Sequence, residues 1–363
     1  MSHPTSFSSL PEELQVMVAS YTPQHNAAIC LRVCQAWRRI FTSFVWRHIE
    51  TRTSIGRKVD WDTTFLESAR SGSLKTHGQW IQSISLRCYP DFIEEFLDLS
   101  PETFPRLTSL SFTNPESDSL IASFIRKAPS SAIGNNGSGL KMLEISGFKG
   151  FGDFADSSTD ALLEHASTLE VVQLDMMPCM SSKSIQQFLC SASRLKEFSI
   201  IGDSRDSDNK DLFLDAHDVV SSDWVCTELE VFGCQIGGIP RPDITQDIAG
   251  KPAVDYIKEG THQESLDLQR GVYSQLGRLT KLKELILGVA VVPRWGDDDI
   301  RRQRNRQYDC LAMTVESGLD LLKDLSELED VFLVDMEVHL SDDGDQASWV
   351  KKNWPKVDRI VYF

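Results

Sequence analysis

From Ile81 to Tyr362 one six-residue pattern returns nine times, and few folds tolerate that regularity. It is Leu-x-x-Leu-x-Leu, with isoleucine, valine, phenylalanine, cysteine or tyrosine as substitutes. The copies begin at Ile81, Leu107, Leu140, Leu169, Leu195, Leu229, Leu282, Leu328 and Val357, so their starts lie 26, 33, 29, 26, 34, 53, 46 and 29 residues apart. The fourth and sixth positions, such as Leu143 and Ile145 or Phe198 and Ile200, alternate with other residues, the period of a strand with one buried face. Between copies the period becomes helical. Leu120, Ile121, Phe124, Ile125 and Ala128 share a face, as do Leu162, Leu163 and Ala166, and Leu319, Leu322 and Leu325. Another face, Ile185, Phe188, Leu189 and Ala192, follows the cap-like Ser181-Ser182. Strands and helices alternating at this spacing predict an α/β fold with a parallel sheet.

Residues 9–49 are patterned differently. Ser9-Leu10-Pro11-Glu12 has the form of a capping box with proline in the first turn. Leu14, Met17, Val18 and Tyr21 follow at i, i+3, i+4 and i+7, one apolar face of a helix. Thr22-Pro23 is expected to cap a second helix in the same way, and apolar positions continue through Cys30, Val33, Cys34, Trp37, Ile40, Phe41 and Phe44. Two or three short helices in about 40 residues stand at the lower limit of independent stability, so the segment needs a partner or the following domain. Cys30 and Cys34 have only His25 and His48 nearby, too few ligands for a structural zinc, and are expected in the core.

Leu10-Pro11-x-Glu13-Leu14, Val18, Tyr21, Val33-Cys34-x-x-Trp37 and Trp46 resemble the F-box motif along its whole length. The copies between residues 80 and 363 resemble leucine-rich repeats, although the asparagine or cysteine that often follows is mostly absent. The chain is thus similar to F-box proteins with C-terminal leucine-rich repeats, such as those of filamentous fungi. The resemblance implies a flexible N-terminus over 1–8, a helical F-box over 9–49, a linker or cap over 50–79, and an irregular repeat solenoid over 80–363, a parallel β horseshoe with outer helices. It also implies that Leu10, Pro11, Leu14, Val18, Val33, Cys34 and Trp37 dock a Skp adaptor and, through it, a cullin–RING ubiquitin ligase, while the repeats present a target protein. The chain departs from the motif at Thr22, Asn26 and Ala27. Smaller and more polar groups there bury less area, at roughly 25 cal/mol per Å². Two other organisations stay open: a helical cap on a leucine-rich scaffold that serves no ligase, and a (β/α)8 barrel enzyme, although nine copies exceed eight.

Composition narrows the chemistry. The net charge is −16, which argues against nucleic acid as a partner. Residues 1–50 hold four basic and three acidic side chains, a net +1, so the remainder carries −17. No stretch approaches the roughly 20 apolar residues of a membrane span, so no membrane partner is expected. The N-terminus lacks a basic and then apolar leader, and the eight scattered cysteines lack a CxxC, which together predict reduced thiols in the cytoplasm or nucleus. The Asn136-Gly137-Ser138 sequon is then silent.

No HExxH, GxSxG or GxxxxGK[ST] occurs, so neither a catalytic residue nor a cofactor nor a metal is expected. Gly147 to Gly152 has the order GxxGxG, the reverse of a dinucleotide fingerprint, and is expected as a strand-to-helix turn. Asp203 to Asp211 lacks the glycine and closing glutamate of a calcium loop. Arg301, Arg302, Arg304 and Arg306 lie beside Asp297, Asp298 and Asp299, which are expected to pair with them.

If the fourth and sixth positions face the core, the third, fifth and seventh face outward. The outward set includes Met142, Glu144, Gln173, Glu197, Glu284, Ile286, Asp330, Phe332 and Arg359, a mixture of apolar and acidic groups suited to a basic or amphipathic protein segment. Insertions over 235–265 and 288–310 are expected to overhang that face, with Trp295 beside Arg294 as an anchor.

Overall fold

The structure, a computed structural model, describes residues 7, 10–50, 72–87, 96–113, 117–129, 139–146, 155–175, 180–201, 214–246, 259–288, 308–334, 336 and 345–361. The chain divides into two units, Met1–Thr113 with Ser123–Met142, and Asn114–Ala122 with Leu143–Phe363.

The first unit opens with three helices, α1 (Glu12–Ser20), α2 (Gln24–Cys30) and α3 (Gln35–Val45). The N-cap residues of the first two make no side-chain cap, and Thr22 does not cap α2 as expected. The residues before them are prolines, Pro11 at φ −50°, ψ 148° and Pro23 at φ −53°, ψ 142°. A fixed proline φ carries the chain into the first turn, where a missing N–H costs nothing. Ser9 lies outside the described residues. Thr22 instead closes α1, its Oγ1 donating to the Val18 carbonyl at 2.9 Å. Ala19, Ala27, Ile40 and Phe41 form the helical core, with Phe7, Cys30, Leu31, Trp37, Phe44 and Val45 packed against it. Three rings interlock there: Phe7 lies 4.7 Å from Trp37 and Trp37 5.6 Å from Phe41.

A strand follows directly that the repeat pattern does not foretell. β1 (His48–Glu50) pairs parallel with β2 (Ser83–Arg87), His48 opposite Ser83, and β2 pairs parallel with β3 (Ser109–Thr113). The Arg47 carbonyl accepts from Gln82 N and Ser83 N at 2.9 and 3.2 Å, and Arg47 Nε donates to Gln82 Oε1 at 2.8 Å. Trp46 stacks on His77 of α4 (Ser73–His77) at 4.7 Å. The helical segment therefore runs into the sheet through backbone hydrogen bonds. The first two copies bury their first, fourth and sixth positions, Ile81, Ile84 and Leu86, then Leu107, Leu110 and Phe112.

In the second unit the remaining copies each supply a strand starting at their third position: β4 (Met142–Ser146), β5 (Val171–Asp175), β6 (Glu197–Ile201), β8 (Val231–Cys234), β10 (Glu284–Ile286), β11 (Asp330–Phe332) and β12 (Arg359–Val361). They lie in that order in the sheet, and β7 (Leu214–Asp215) pairs apart with β9 (Ile236–Gly237). From β5 to β12 every recorded pair is parallel. The fourth positions fall opposite one another in a single row, Val172, Phe198, Phe232, Leu285, Val331 and Ile360. The repeat pattern is thus a register device, because a slip by one residue would turn every leucine to the other face. Among the described residues β12 pairs only with β11. The strands form an open sheet, not the closed barrel left open above.

Helices connect the strands: α5 (Asp118–Ile125), α6 (Asp156–Leu163), α7 (Ser182–Leu189), α8 (Ala216–Val219), α9 (His262–Gly277) and α10 (Asp345–Asn353). Ser181 caps α7 as expected, accepting from Ser184 N at 3.2 Å. The Leu319–Leu325 face is a 3-10 turn over Leu319–Leu322 instead of an α-helix. It starts from Gly318 at φ +115°, a conformation that a β-carbon disfavours. The longest helix, α9, falls partly where an insertion was expected. Its start was legible: Thr261-x-x-Glu264 is a capping box in which Glu264 N donates to Thr261 Oγ1 at 3.2 Å and Thr261 N to Glu264 Oε2 at 2.7 Å. The described beginning of that insertion is also packed inside. Ile236, Ile239 and Arg241 are buried, the guanidinium held by Asp243 and by the Cys310 carbonyl at 3.0 Å.

Asp118 caps α6 from a distance in sequence. Its Oδ1 accepts from Ala155 N at 2.9 Å and Ser158 N at 3.0 Å, and its Oδ2 from Ser157 N at 3.1 Å. Burial alone would raise this carboxyl, but the donors around Ser158 outweigh it and hold the group below its ordinary value. A depressed carboxyl contributes stability that is present above about pH 4, the unfolded value, and is lost as pH falls through the folded one. Asp118→Ala should cost about 1 kcal/mol near neutral pH. The difference from the unaltered protein should shrink on acidification, as read from denaturant midpoints over a pH series.

The second position of successive copies alternates in charge: Lys141, Glu170, Lys196, Glu230, Lys283 and Glu329. Lys196 meets Glu170 at 2.8 Å and Lys283 meets Glu230 at 2.5 Å, while two residues back, just before each copy, Lys281 pairs with Glu228 and Lys356 with Glu327 at 2.6 Å. Exposed pairs are worth little singly, so Glu230→Lys is expected to lower Tm only slightly at low salt. Calorimetry in about 1 M salt, where charges a few ångströms apart are screened, should erase the difference.

Candidate functional site

The α1 helix sets the site. At about 100° per residue, Leu14, Met17, Val18 and Tyr21 fall within one quarter-turn or so of the helix, while Ala19 lies well round from them. Ala19 is fully buried and points into the core, so the apolar stripe points away from it. Leu14, Met17, Val18 and Tyr21 are 43, 54, 46 and 83% exposed. The helical period alone leaves open whether such a face turns inward or outward. Here the core is small and is already closed by Ala19, Ala27 and the Phe7–Trp37–Phe41 rings.

The other expected contact residues divide between surface and core. Pro11, Val33 and Cys34 are exposed and Leu10 is half-buried. Cys34 is the extended residue before α3, which corrects its expected place in the core; Cys30 does pack there. Trp37 is half-buried among Phe7 and Phe41, so its ring supports the helices more than it presents a surface. Ala27, in the part of the motif where the chain departs from the usual residues, is wholly buried and offers no contact area. Val16 and Ile29, 42 and 63% exposed, are further exposed apolar side chains outside the residues picked from the motif. Exposure was their only signal, and periodicity does not report it.

Seven exposed large apolar side chains on one small helical unit are unusual for a surface that meets only water. Residues 7–52 match the F-box-like family model. The match takes in α1, α2, α3 and the whole of β1, the strand that pairs with the first repeat, and ends two residues beyond it. No curated protein matches the chain. Among solved structures, the crystal structure of the Rad7 and Elc1 complex in yeast matches at 15% identity with a TM-score of 0.36, over 78% of this chain and 70% of that one.

On the second unit the outward alternation is present. Glu144, Gln173, Glu197, Glu284, Asp330 and Phe332 are half-buried and Arg359 is exposed, as is usual for one face of a pleated strand. Met142, at the last residue of the first unit, is half-buried as well. Ser199 and Val334, at a fifth and a seventh position, are buried at 6 and 1% exposed against that expectation, and so is Ile286 at 4%. Across from it stands Gly233, and Ile286 Cδ1 lies 3.4 Å from where a β-carbon would be, so the isoleucine fills the space that glycine leaves. Glu284 stands directly opposite Asp330, whose carboxylate receives Arg359 Nε at 2.9 Å. Burial pushes the Glu284 carboxyl up, and Asp330 adds to the shift. Arg359 also lies over the Phe332 ring at 4.7 Å. Trp295, Gly147–Gly152, Asp203–Asp211 and the arginines at 301–306 lie outside the described residues. Among the described residues no cluster of three metal-ligating side chains occurs.

Proposed function

We propose that this protein is the target-recognition subunit of a Skp–cullin–F-box ubiquitin ligase, acting in the cytoplasm or nucleus. The exposed stripe on α1, within a segment that matches the F-box-like model, carries the reading. The stripe supplies the apolar centre of an interface and Val33 and Cys34 extend it, while the Skp adaptor supplies the complementary surface. The outward face of the repeats holds the target protein, a basic or amphipathic segment facing Glu197, Glu284, Asp330 and Phe332. No group of this chain takes part in ubiquitin transfer. It contributes proximity, raising the target's effective concentration at the ligase. Co-purification of the full chain with a recombinant Skp adaptor tests the first half: a stable complex is expected, and its absence at micromolar concentrations overturns the reading. Folding of the uncomplexed chain is followed in parallel.

A further inference from the structure

Charged groups border the apolar docking surface. Its acidic groups sit at the start of α1, where Glu12 and Glu13 occupy the first turn, and Glu12 is met by Arg39 at 3.4 Å. The turn between α2 and α3 adds a second exposed apolar point, where Val33 is 59% exposed and Cys34 is exposed beside it. Two arginines flank that turn. Arg32 precedes Val33 and is exposed, and Arg38, also exposed, is drawn back over the turn by its Nε donating to the Leu31 carbonyl at 3.4 Å. The described part of the turn thus presents an apolar tip between two guanidinium groups. Residues 1–50 are net positive, whereas the rest of the chain carries −17.

We propose that the adaptor surface meeting Val33 carries carboxylates opposite Arg32 and Arg38, and that this pairing steers the encounter. The inference rests on the adaptor-docking reading above and adds the chemistry of the partner to it. A partner with an acidic rim is repelled by most of a chain of charge −16 and attracted at this turn. Its approach is therefore oriented before any apolar contact forms. Charges at the rim of an interface act mainly on the association rate and its salt dependence, whereas the buried apolar centre governs dissociation. The two contributions separate kinetically.

The test is the association of the full chain with a recombinant Skp adaptor, followed by stopped-flow fluorescence at two salt concentrations. The unaltered chain should associate about 10-fold faster at low salt than at a Debye length of about 8 Å or less. Arg32→Glu with Arg38→Glu should slow association about 10-fold at low salt and leave dissociation within about 2-fold. Arg38→Lys keeps the charge and loses the bond to Leu31, so it should keep the fast rate. A double variant with unchanged association, or slow association by Arg38→Lys alone, overturns the steering and leaves the docking intact. Failure of the unaltered chain to bind removes both. Circular dichroism of each variant should match the unaltered protein, because both arginines are exposed.

Discussion

Leu14→Asp with Val18→Asp should abolish recovery of the chain with a Skp adaptor while leaving its thermal unfolding almost unchanged. The two side chains are 43 and 46% exposed in the free protein, so they contribute modestly to the helical core. Each stands to bury its remaining apolar area on docking, about 1–1.5 kcal/mol apiece at roughly 25 cal/mol per Å². Aspartate forfeits that gain and adds the cost of desolvating a carboxylate within an apolar contact. A combined loss of about 3 kcal/mol is roughly a 100-fold weakening, enough to empty a pull-down. The neighbouring core position gives the contrast. Ala19→Asp should also end recovery, but by unfolding α1–α3, and circular dichroism distinguishes the two. Retention of the complex by the Leu14/Val18 variant would place the docking surface elsewhere.

Phe198→Ala is expected to have the largest effect on stability. Phe198 occupies the fourth position of its copy, is fully buried, and stacks between Phe188 at 5.9 Å and Phe232 at 6.2 Å. Truncation leaves a cavity lined by one ring on the neighbouring strand β8 and one on α7, with the strands held in hydrogen-bonded register, so little collapse is possible. The cost should be about 3–5 kcal/mol, read as a lowered denaturant midpoint of the second unit. Phe198→Leu keeps most of the volume and should cost about 1 kcal/mol. Phe332, half-buried on the opposite face, should lose far less on the same truncation to alanine. Similar losses at Phe198 and Phe332 would mean that the inward and outward faces are misassigned.

Much of the fold was legible because the repeat carries its own register. Once the fourth and sixth positions are apolar in nine copies, burying them together leaves one pairing of each strand with the next, and the structure aligns Val172 through Ile360 in that row. Helix α9 was legible in principle from Thr261 and Glu264 but was hidden by the irregular spacing between copies. β1 carried no repeat signal, since three residues are too few to show a period. The burial of Ile286 depends on Gly233, which lies 53 residues earlier, and no local rule connects them.

The site divides in the same way. The residue types of an adaptor-docking motif, and the stripe at Leu14, Met17, Val18 and Tyr21, stand in the chain itself. Their meaning does not. A 3.6-residue period shows that one side of a helix is apolar, and that condition is met equally by a face turned to the core and by one turned to a partner. The choice was made by volume. Ala19 and Ala27, with the rings of Phe7, Trp37 and Phe41, close the small core of α1–α3, and the stripe of α1 is left outside it.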